Sequence, residues 1–164
     1  MAQARDDGRV FAVKQNDNRL NSKINRLGCF FIACSLCAEY ALHVTYDADT
    51  INRTWDEAVK RGLIDKNDNV TNSAGIMNLF VDKANRDGRF YEVGLIKGGK
   101  TEFYPSVSQK FRAGDFFIQK IVQGGASVTH FRVVDKDERL VEDPHDPPIK
   151  PIKVLYTIVY RFVS

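Results

Sequence analysis

The stretch Leu27-Gly28-Cys29-Phe30-Phe31-Ile32-Ala33-Cys34-Ser35-Leu36-Cys37-Ala38-Glu39-Tyr40-Ala41-Leu42 joins a glycine and a cysteine to a long apolar run. Its apolar residues recur at three- and four-residue intervals and also occupy the remaining sides, a pattern typical of a buried helix. We therefore expect a central helix from about Cys29 to about Val44. Because free backbone N–H groups and the helix dipole stabilise negative charge at a helix N-terminus, Cys29 stands where a thiolate forms readily.

Around this helix the chain predicts further helices. Three segments carry helical apolar spacing, and two of them have a polar capping residue in front. These segments and their predicted caps are residues 19–27, residues 49–62 with Asp49 or Thr50, and the segment from Thr71 or Asn72 to Asp87-Gly88.

The sequence changes character after Gly88. Apolar and polar residues alternate between turn signals, which is typical of β-strands, and Val10–Val13 is a further short candidate near the start. The predicted strands are 90–96, part of 103–111, 116–122, 129–134, 139–142 and 154–162, with glycine turns at Gly98-Gly99 and Gly124-Gly125. Helices followed by an antiparallel sheet predict an α+β fold, with N-terminal helices packed on a C-terminal sheet.

Size and charge favour one ordinary globular domain. A chain of 164 residues can bury a proper core, so we expect a single domain over residues 1–164. A net charge of +3 and a pI near 8.7 permit weak attraction to acidic surfaces but require none. The region between Trp55 and Phe80 mixes acidic and basic residues and offers no basic stripe for phosphates. We therefore expect no nucleic-acid partner.

The sequence predicts neither a leader nor a membrane insertion. The start is polar and lacks the apolar segment of a signal peptide. The apolar run after Cys29 is too short to span a bilayer and contains Glu39. We expect synthesis in the cytosol, and action at a cell wall would need release by a separate lysis or secretion system.

The cysteines favour reduced thiols over bridges or metal ligands. All three lie in one helical segment, whereas disulfides normally join distant parts of a chain. The Cys34-x-x-Cys37 pair has no second ligand pair at zinc spacing and no thioredoxin-like strand before it. We expect both thiols to pack in the core, and we expect no metal and no cofactor.

Cys29 has candidate partners further along the chain. A thiol nucleophile needs a base to accept its proton and a third group to orient that base. His130 lies on a predicted strand, and Asp143 lies at the end of the next strand, across a tight turn at Asp135–Asp137. A hairpin of this length brings its two ends side by side, so Cys29, His130 and Asp143 form a candidate catalytic triad.

Other assignments remain open at this level. His43 could cap the central helix or serve as base, and His145 could also compete as base. Asp135 is the second choice for the orienting acid, while Asp115 more naturally begins a strand. If these residues have only structural roles, Cys29 is a core thiol and Asp143 is a turn residue before proline.

The order of these motifs resembles a known superfamily. Thr129-His130-Phe131-Arg132-Val133-Val134 with Val141-Glu142-Asp143-Pro144 resembles the signature of bacteriocin-processing peptidases. Arg112-Ala113-Gly114-Asp115-Phe116-Phe117-Ile118 is similar to the strand entry of NlpC-type and CHAP cell-wall hydrolases. Together with the helix-initial Cys29, they resemble papain-like cysteine peptidases in their compact bacterial and phage forms. The resemblance implies a papain-like fold and hydrolysis of a peptide or a peptidoglycan stem peptide, without cofactor.

The chain departs from this pattern just before the cysteine. Papain-like enzymes place a glutamine several residues ahead of the nucleophile to donate to the oxyanion, and Lys23 stands near that place here. Asn25, Asn21 or the more distant Gln15 could supply the side-chain amide instead. If none does, the expected alternative is a catalytically inactive binding module with the same fold.

Overall fold

The computed structural model describes residues 2–4 (backbone only), 12–123 and 128–164. Within these residues the chain forms four helices and eight strands, and the helices precede a six-stranded antiparallel sheet. The predicted α+β class is confirmed. The elements are β1 (Ala2–Ala4), α1 (Ser22–Leu27), α2 (Cys29–Leu42), β2 (Val44–Tyr46), α3 (Ala48–Lys60), α4 (Ser73–Lys83), β3 (Arg89–Lys97), β4 (Lys100–Phe103), β5 (Phe116–Gln123), β6 (Thr129–Val134), β7 (Leu140–Glu142) and β8 (Pro151–Val163).

The strand order of the large sheet is β4-β3-β8-β5-β6-β7. The strand that comes last in the chain therefore lies inside the sheet, where β8 pairs with β3 on one side and with β5 on the other. The hairpin of β5 and β6 then extends the sheet to the short edge strand β7. A separate two-stranded sheet joins β1 to β2.

Both faces of the large sheet are covered. The helices pack on one face, where Ile118, Val133 and Tyr160 join a core shared with α2, α3 and α4. On the opposite face, Val107 and Phe111 from the segment between β4 and β5 cover a smaller apolar cluster. Strands buried on both faces contain more apolar residues than a half-exposed sheet, which explains the weak alternation in this part of the sequence.

α2 is the central element of the helical layer. Every residue from Phe31 to Glu39 is buried, as the all-round apolar sequence predicts. The Phe31 ring meets Trp55 of α3 edge-on at 5.1 Å between centroids and lies 5.4 Å from Phe80 of α4. These contacts fix α2 between the other helices and the sheet, and so they fix the position of its first residue.

The end of α2 and the start of α3 differ from the prediction. α2 ends at Leu42, two residues before Val44, because His43 adopts a left-handed backbone with a φ of 56° and the chain then enters β2. α3 begins at Ala48, and its cap is Asp47, whose side chain accepts from the backbone N–H of Thr50. The predicted caps Asp49 and Thr50 are therefore wrong, since both lie inside the first turn.

α4 begins as predicted and ends earlier. Its cap is Asn72, whose side chain accepts from the N–H of Gly75. The helix ends at Lys83 rather than near Asp87-Gly88, because Asn85 turns the chain with a φ of 54°. Of the other predictions, Gly98-Gly99 forms the turn between β3 and β4. Val10-Phe11 and Gly124-Gly125 lie outside the described residues.

None of the helices in the described part of the chain is both long enough and apolar enough to cross a membrane.

Candidate active site

Cys29 is the first residue of α2 and borders an open cleft. Gly28 precedes it as the N-cap and donates its backbone N–H to Ile24 of α1, at 2.9 Å. The backbone of Gly28 has a φ of −90°, which any residue can adopt. Glycine is required here for space, since a Cβ would lie 2.7 Å from the Ile24 carbonyl oxygen. The close junction of the two helices therefore places Cys29 at the edge of the cleft.

His130 and Asp143 form a buried pair. His130 lies on β6, Asp143 follows β7, and the two strands are paired through Val133 and Glu142. The Nε2 atom of His130 lies 2.6 Å from the Oδ1 atom of Asp143, and both residues are 2% exposed. The hairpin thus brings together the two groups that the sequence predicts as base and orienting acid.

The third predicted residue contacts the other side of the imidazole. Cys29 lies close enough to His130 for its side chain to raise the pKa of the imidazole. Because Nε2 faces Asp143, Nδ1 is the ring nitrogen left for the thiol. The contact between Phe30 and Phe131, whose rings stack at 4.1 Å, holds α2 against β6 immediately beside Cys29 and His130.

The surroundings of His130 favour its charged form. Burial of the ring lowers the pKa of His130, but its hydrogen bond to Asp143, its interaction with Cys29 and the charge of the Asp143 carboxylate outweigh burial and raise that pKa to about 9. At neutral pH the imidazole therefore carries a proton that it can give to a reacting group.

Asp143 is held as a carboxylate. Its Oδ1 atom also accepts from the backbone N–H of His145 at 2.8 Å, and its Oδ2 atom accepts from that of Ile149 at 2.9 Å. Burial raises the pKa of Asp143. The hydrogen bonds from His130 and from the two backbone groups outweigh burial and hold the pKa below its ordinary value. A negative charge thus faces His130 in a fixed orientation.

A segment from the start of the chain anchors the loop that carries Asp143. Lys14 donates to the Asp143 carbonyl oxygen at 2.6 Å and forms an ion pair with Glu142 at 2.9 Å. The backbone N–H of Gln15 donates to Pro144 at 2.7 Å. Lys14 and Asp143, which are 129 positions apart in the sequence, are therefore in contact. Sequence analysis missed Lys14, because nothing in the local pattern indicates this contact.

The structure distinguishes the three candidates for the oxyanion side chain. Asn21 caps α1, where its side-chain oxygen accepts from the backbone N–H of Ile24. The Asn25 amide donates to the carbonyl oxygens of Gln15 and Asp17, at 2.7 and 2.9 Å. Both of its hydrogens are committed, so it has none to offer to an oxyanion. Gln15 is buried beside the Asp143 loop, and its amide donates to the Asn25 carbonyl oxygen at 3.2 Å. One of the two Gln15 amide hydrogens has no acceptor among the described residues.

The other candidates have different roles. His43 is exposed at the end of α2, and the ring of His145 contacts the Pro147 carbonyl oxygen. Asp135 accepts from backbone groups of its own turn, and Asp115 forms a bidentate pair with Arg161. None of them contacts Cys29 or His130 among the described residues.

Cys34 and Cys37 lie inside the core. Both are completely buried, and burial raises the pKa of each thiol. Among the described residues, no group of three or more His, Cys, Asp or Glu side chains could hold a metal ion. Cys29 is therefore the one thiol in this helix that lines the cleft.

The cleft beside Cys29 has a volume of about 530 Å³. One wall is the loop 67–70, and the opposite wall consists of side chains from the sheet, including Phe131, Lys120 and Tyr156. Sequence analysis missed Lys120 because its position within a mostly apolar strand gives no sign that it faces the cleft. A second cavity, of about 290 Å³, lies beyond β6 and has neither Cys29 nor His130 in its lining.

A family described as "Protein of unknown function, DUF261" matches residues 11–147, and the chain belongs to this family. The matched region contains Cys29, His130 and Asp143. No curated protein and no solved structure matches the chain.

Proposed function

We propose that the protein is a cysteine-dependent amide hydrolase that uses Cys29, His130 and Asp143. The observation that carries the proposal is a buried carboxylate hydrogen-bonded to an imidazole, which lies beside a thiol at a helix N-terminus that borders a cleft. Each group has the partner that its role requires: the acid orients the histidine, and the histidine accepts the proton of the thiol.

The proposed reaction begins when His130 takes the proton of the Cys29 thiol and the thiolate sulfur attacks the carbonyl carbon of an amide. The sulfur's electron pair forms the new C–S bond, and the carbonyl π electrons move to the oxygen. The tetrahedral intermediate then collapses, the C–N bond breaks, and His130 gives its proton to the leaving amine. Water, deprotonated by His130, hydrolyses the resulting thioester and regenerates the thiol.

The oxyanion needs hydrogen-bond donors during this cycle. The backbone N–H of Cys29 lies in the first turn of α2, where helix N–H groups have no acceptor within the helix. The uncommitted amide hydrogen of Gln15, next to the Asp143 loop, is the side-chain donor that we propose. This assignment replaces Asn25, whose hydrogens are both donated to backbone oxygens.

The resemblance to papain-like cysteine peptidases supports the substrate class. We propose a peptide or a peptidoglycan stem peptide as substrate, with no metal or cofactor in the reaction. Action on a cell wall would require release of the protein by a separate lysis or secretion system. The competing proposal is a papain-like binding module without catalytic activity.

Selective alkylation tests the first step of the mechanism. In the folded wild type, iodoacetamide at neutral pH should label Cys29 much faster than Cys34 or Cys37, as mapped by mass spectrometry. His130→Ala should abolish this advantage, whereas His43→Asn, a change at the exposed histidine that follows α2, should keep it. Equal labelling of all three thiols in the folded protein would contradict the proposal.

Turnover tests the complete reaction. Wild type and Cys29→Ala should be compared on a panel of peptides and on purified cell walls, with released amines as the readout. Hydrolysis that disappears in Cys29→Ala supports the enzyme. Fast Cys29 labelling, together with binding but no hydrolysis of any panel member, would favour the inactive binding module.

A further inference from the structure

The cleft beside Cys29 carries a cation on its sheet wall. Lys120 lies on β5, directly opposite Phe131 of β6 and Tyr156 of β8 in the strand register. Its Nζ atom lies 5.4 Å from the centre of the Phe131 ring and 5.6 Å from that of the Tyr156 ring. The two rings hold the ammonium group in place by cation–π attraction.

Lys120 has no acidic partner in the described part of the chain. Among the described residues, no carboxylate lies within ion-pair distance of its Nζ atom. The one acidic side chain in the described lining of the cleft is Asp68, which already pairs with Lys23 at 3.7 Å. Arg26 adds a second positive charge at the rim. The cleft therefore presents positive charge to whatever enters it.

The position of Lys120 connects this charge to the reacting group. Phe131, which contacts the Lys120 ammonium, follows His130 directly on β6 and stacks on Phe30, the residue after Cys29. The cation and the thiol thus border the same cleft and share one aromatic contact. An anionic group of a substrate bound at Cys29 would meet a positioned, uncompensated cation, which gains more from an ion pair than a freely moving surface lysine does.

We infer that Lys120 binds a carboxylate of the substrate near the scissile amide, so that the protein selects acidic peptides. This inference rests on the proposed function and names the substrate class for the same site. An aspartate or glutamate side chain and a free terminal carboxylate supply the same chemistry, and matched peptides distinguish them.

A pair of thiol reagents tests the inference without any need for turnover. 4-Maleimidobutyric acid and its amide carry the same electrophile on the same short arm and differ only in charge. In the full-length protein, Cys29 should react with the acid preferentially, relative to free cysteine. Lys120→Met, which keeps the apolar stem between the rings, should reduce this preference about fivefold, and Lys120→Arg should retain most of it.

Two matched variants serve as controls. Lys100→Met removes the same charge from β4, outside the cleft, and should leave the preference unchanged. Arg26→Met removes a charge from the rim and should have a smaller effect than Lys120→Met. An unchanged preference in Lys120→Met, or equal losses in Lys120→Met and Arg26→Met, would overturn the assignment to Lys120.

Peptide hydrolysis separates the inference from the proposed function. Peptides that differ only as glutamate or glutamine beside the scissile bond, each with a free or an amidated C-terminus, should differ about fivefold in kcat/KM for wild type and little for Lys120→Met. Equal turnover of acidic and neutral peptides that still requires Cys29 would refute the inference and leave the enzyme intact. Equal labelling of all three thiols would instead refute the proposed function.

Discussion

At the scale of single residues, the charge of His130 follows from its two neighbours. Asp143 and Cys29 both raise its pKa, and together they outweigh the burial that lowers it. In the proposed mechanism the imidazolium is the acid that protonates the leaving amine. The pH dependence of the reaction should therefore report on these contacts.

We predict that kcat/KM falls as the pH rises through about 9, where His130 loses its proton. In Asp143→Asn the hydrogen bond to a carboxylate and its negative charge are lost, so the falling limb of the pH–rate profile should move to lower pH. A pH–rate profile of both proteins measures the shift. A limb that stays in place in Asp143→Asn would show that another group controls it.

Gln15 should affect hydrolysis and alkylation differently. We predict that Gln15→Ala lowers kcat by about 10²-fold, because it removes a donor to the oxyanion. Iodoacetamide labelling of Cys29 forms no oxyanion and should remain within about twofold of wild type. Parallel losses of labelling and turnover would assign Gln15 a structural role in holding the Asp143 loop.

Asn25→Ala is the matched control for this difference between hydrolysis and alkylation. Its amide bonds only to backbone oxygens, so its loss should lower the melting temperature without a selective effect on kcat. A selective loss of kcat in Asn25→Ala would return the oxyanion role to that residue.

The proximity of His130 and Asp143 could be predicted from the sequence because one hairpin contains both residues. The contacts of Lys14 and Gln15 with the Asp143 loop could not, because they join opposite ends of the chain. The orientation of Lys120 depends on the register of three strands, which alternation alone does not give when both faces of a sheet are covered.

At the scale of elements, the junction of α1 and α2 positions the thiol. Gly28 lies so close to Ile24 that even a methyl group would overlap the backbone of α1. The sequence predicts α2 as a buried helix, because apolar residues occupy all of its sides. Its end at Leu42 could not be predicted, since the left-handed conformation of His43 depends on the entry of the chain into β2.

We predict that Gly28→Ala lowers the free energy of unfolding by about 1–3 kcal/mol, the usual cost of forcing extra volume into a packed contact. Because α1 must move away from α2, Cys29 labelling should also slow. Urea unfolding followed by circular dichroism measures the first effect. Ser22→Ala, at the exposed start of α1, should change the stability by less than about 0.5 kcal/mol, and equal effects of the two variants would contradict this explanation.

At the scale of the whole molecule, β8 joins two parts of the sheet that do not otherwise pair. β3 and β4 lie on one side, and β5, β6 and β7 lie on the other. The class of fold could be predicted from the order of helices and strands. The position of β8 inside the sheet could not, because its sequence contains no sign of which strands it joins.

We predict that removal of residues 151–164 abolishes cooperative unfolding, since β3 and β5 each lose the strand that joins them into one sheet. Thermal unfolding and near-ultraviolet circular dichroism should both show the loss of fixed packing. Removal of Ser164 alone, which follows β8, is the control and should leave the transition intact. A truncated chain that still melts sharply would show that the two parts of the sheet fold without β8.

Because β8 follows the other strands in the chain, the ribosome makes it after them. A ribosome makes Cys29 long before His130, and it makes the strand that unites the sheet after both. Until β8 emerges, β3 and β5 expose unpaired edges, and the wall of the cleft that contains Tyr156 does not exist. In the proposed enzyme, the thiol therefore acquires its complete surroundings only after this strand is inserted. If Cys29 is the nucleophile that we propose, the order of synthesis delays its reactive state until the chain has folded.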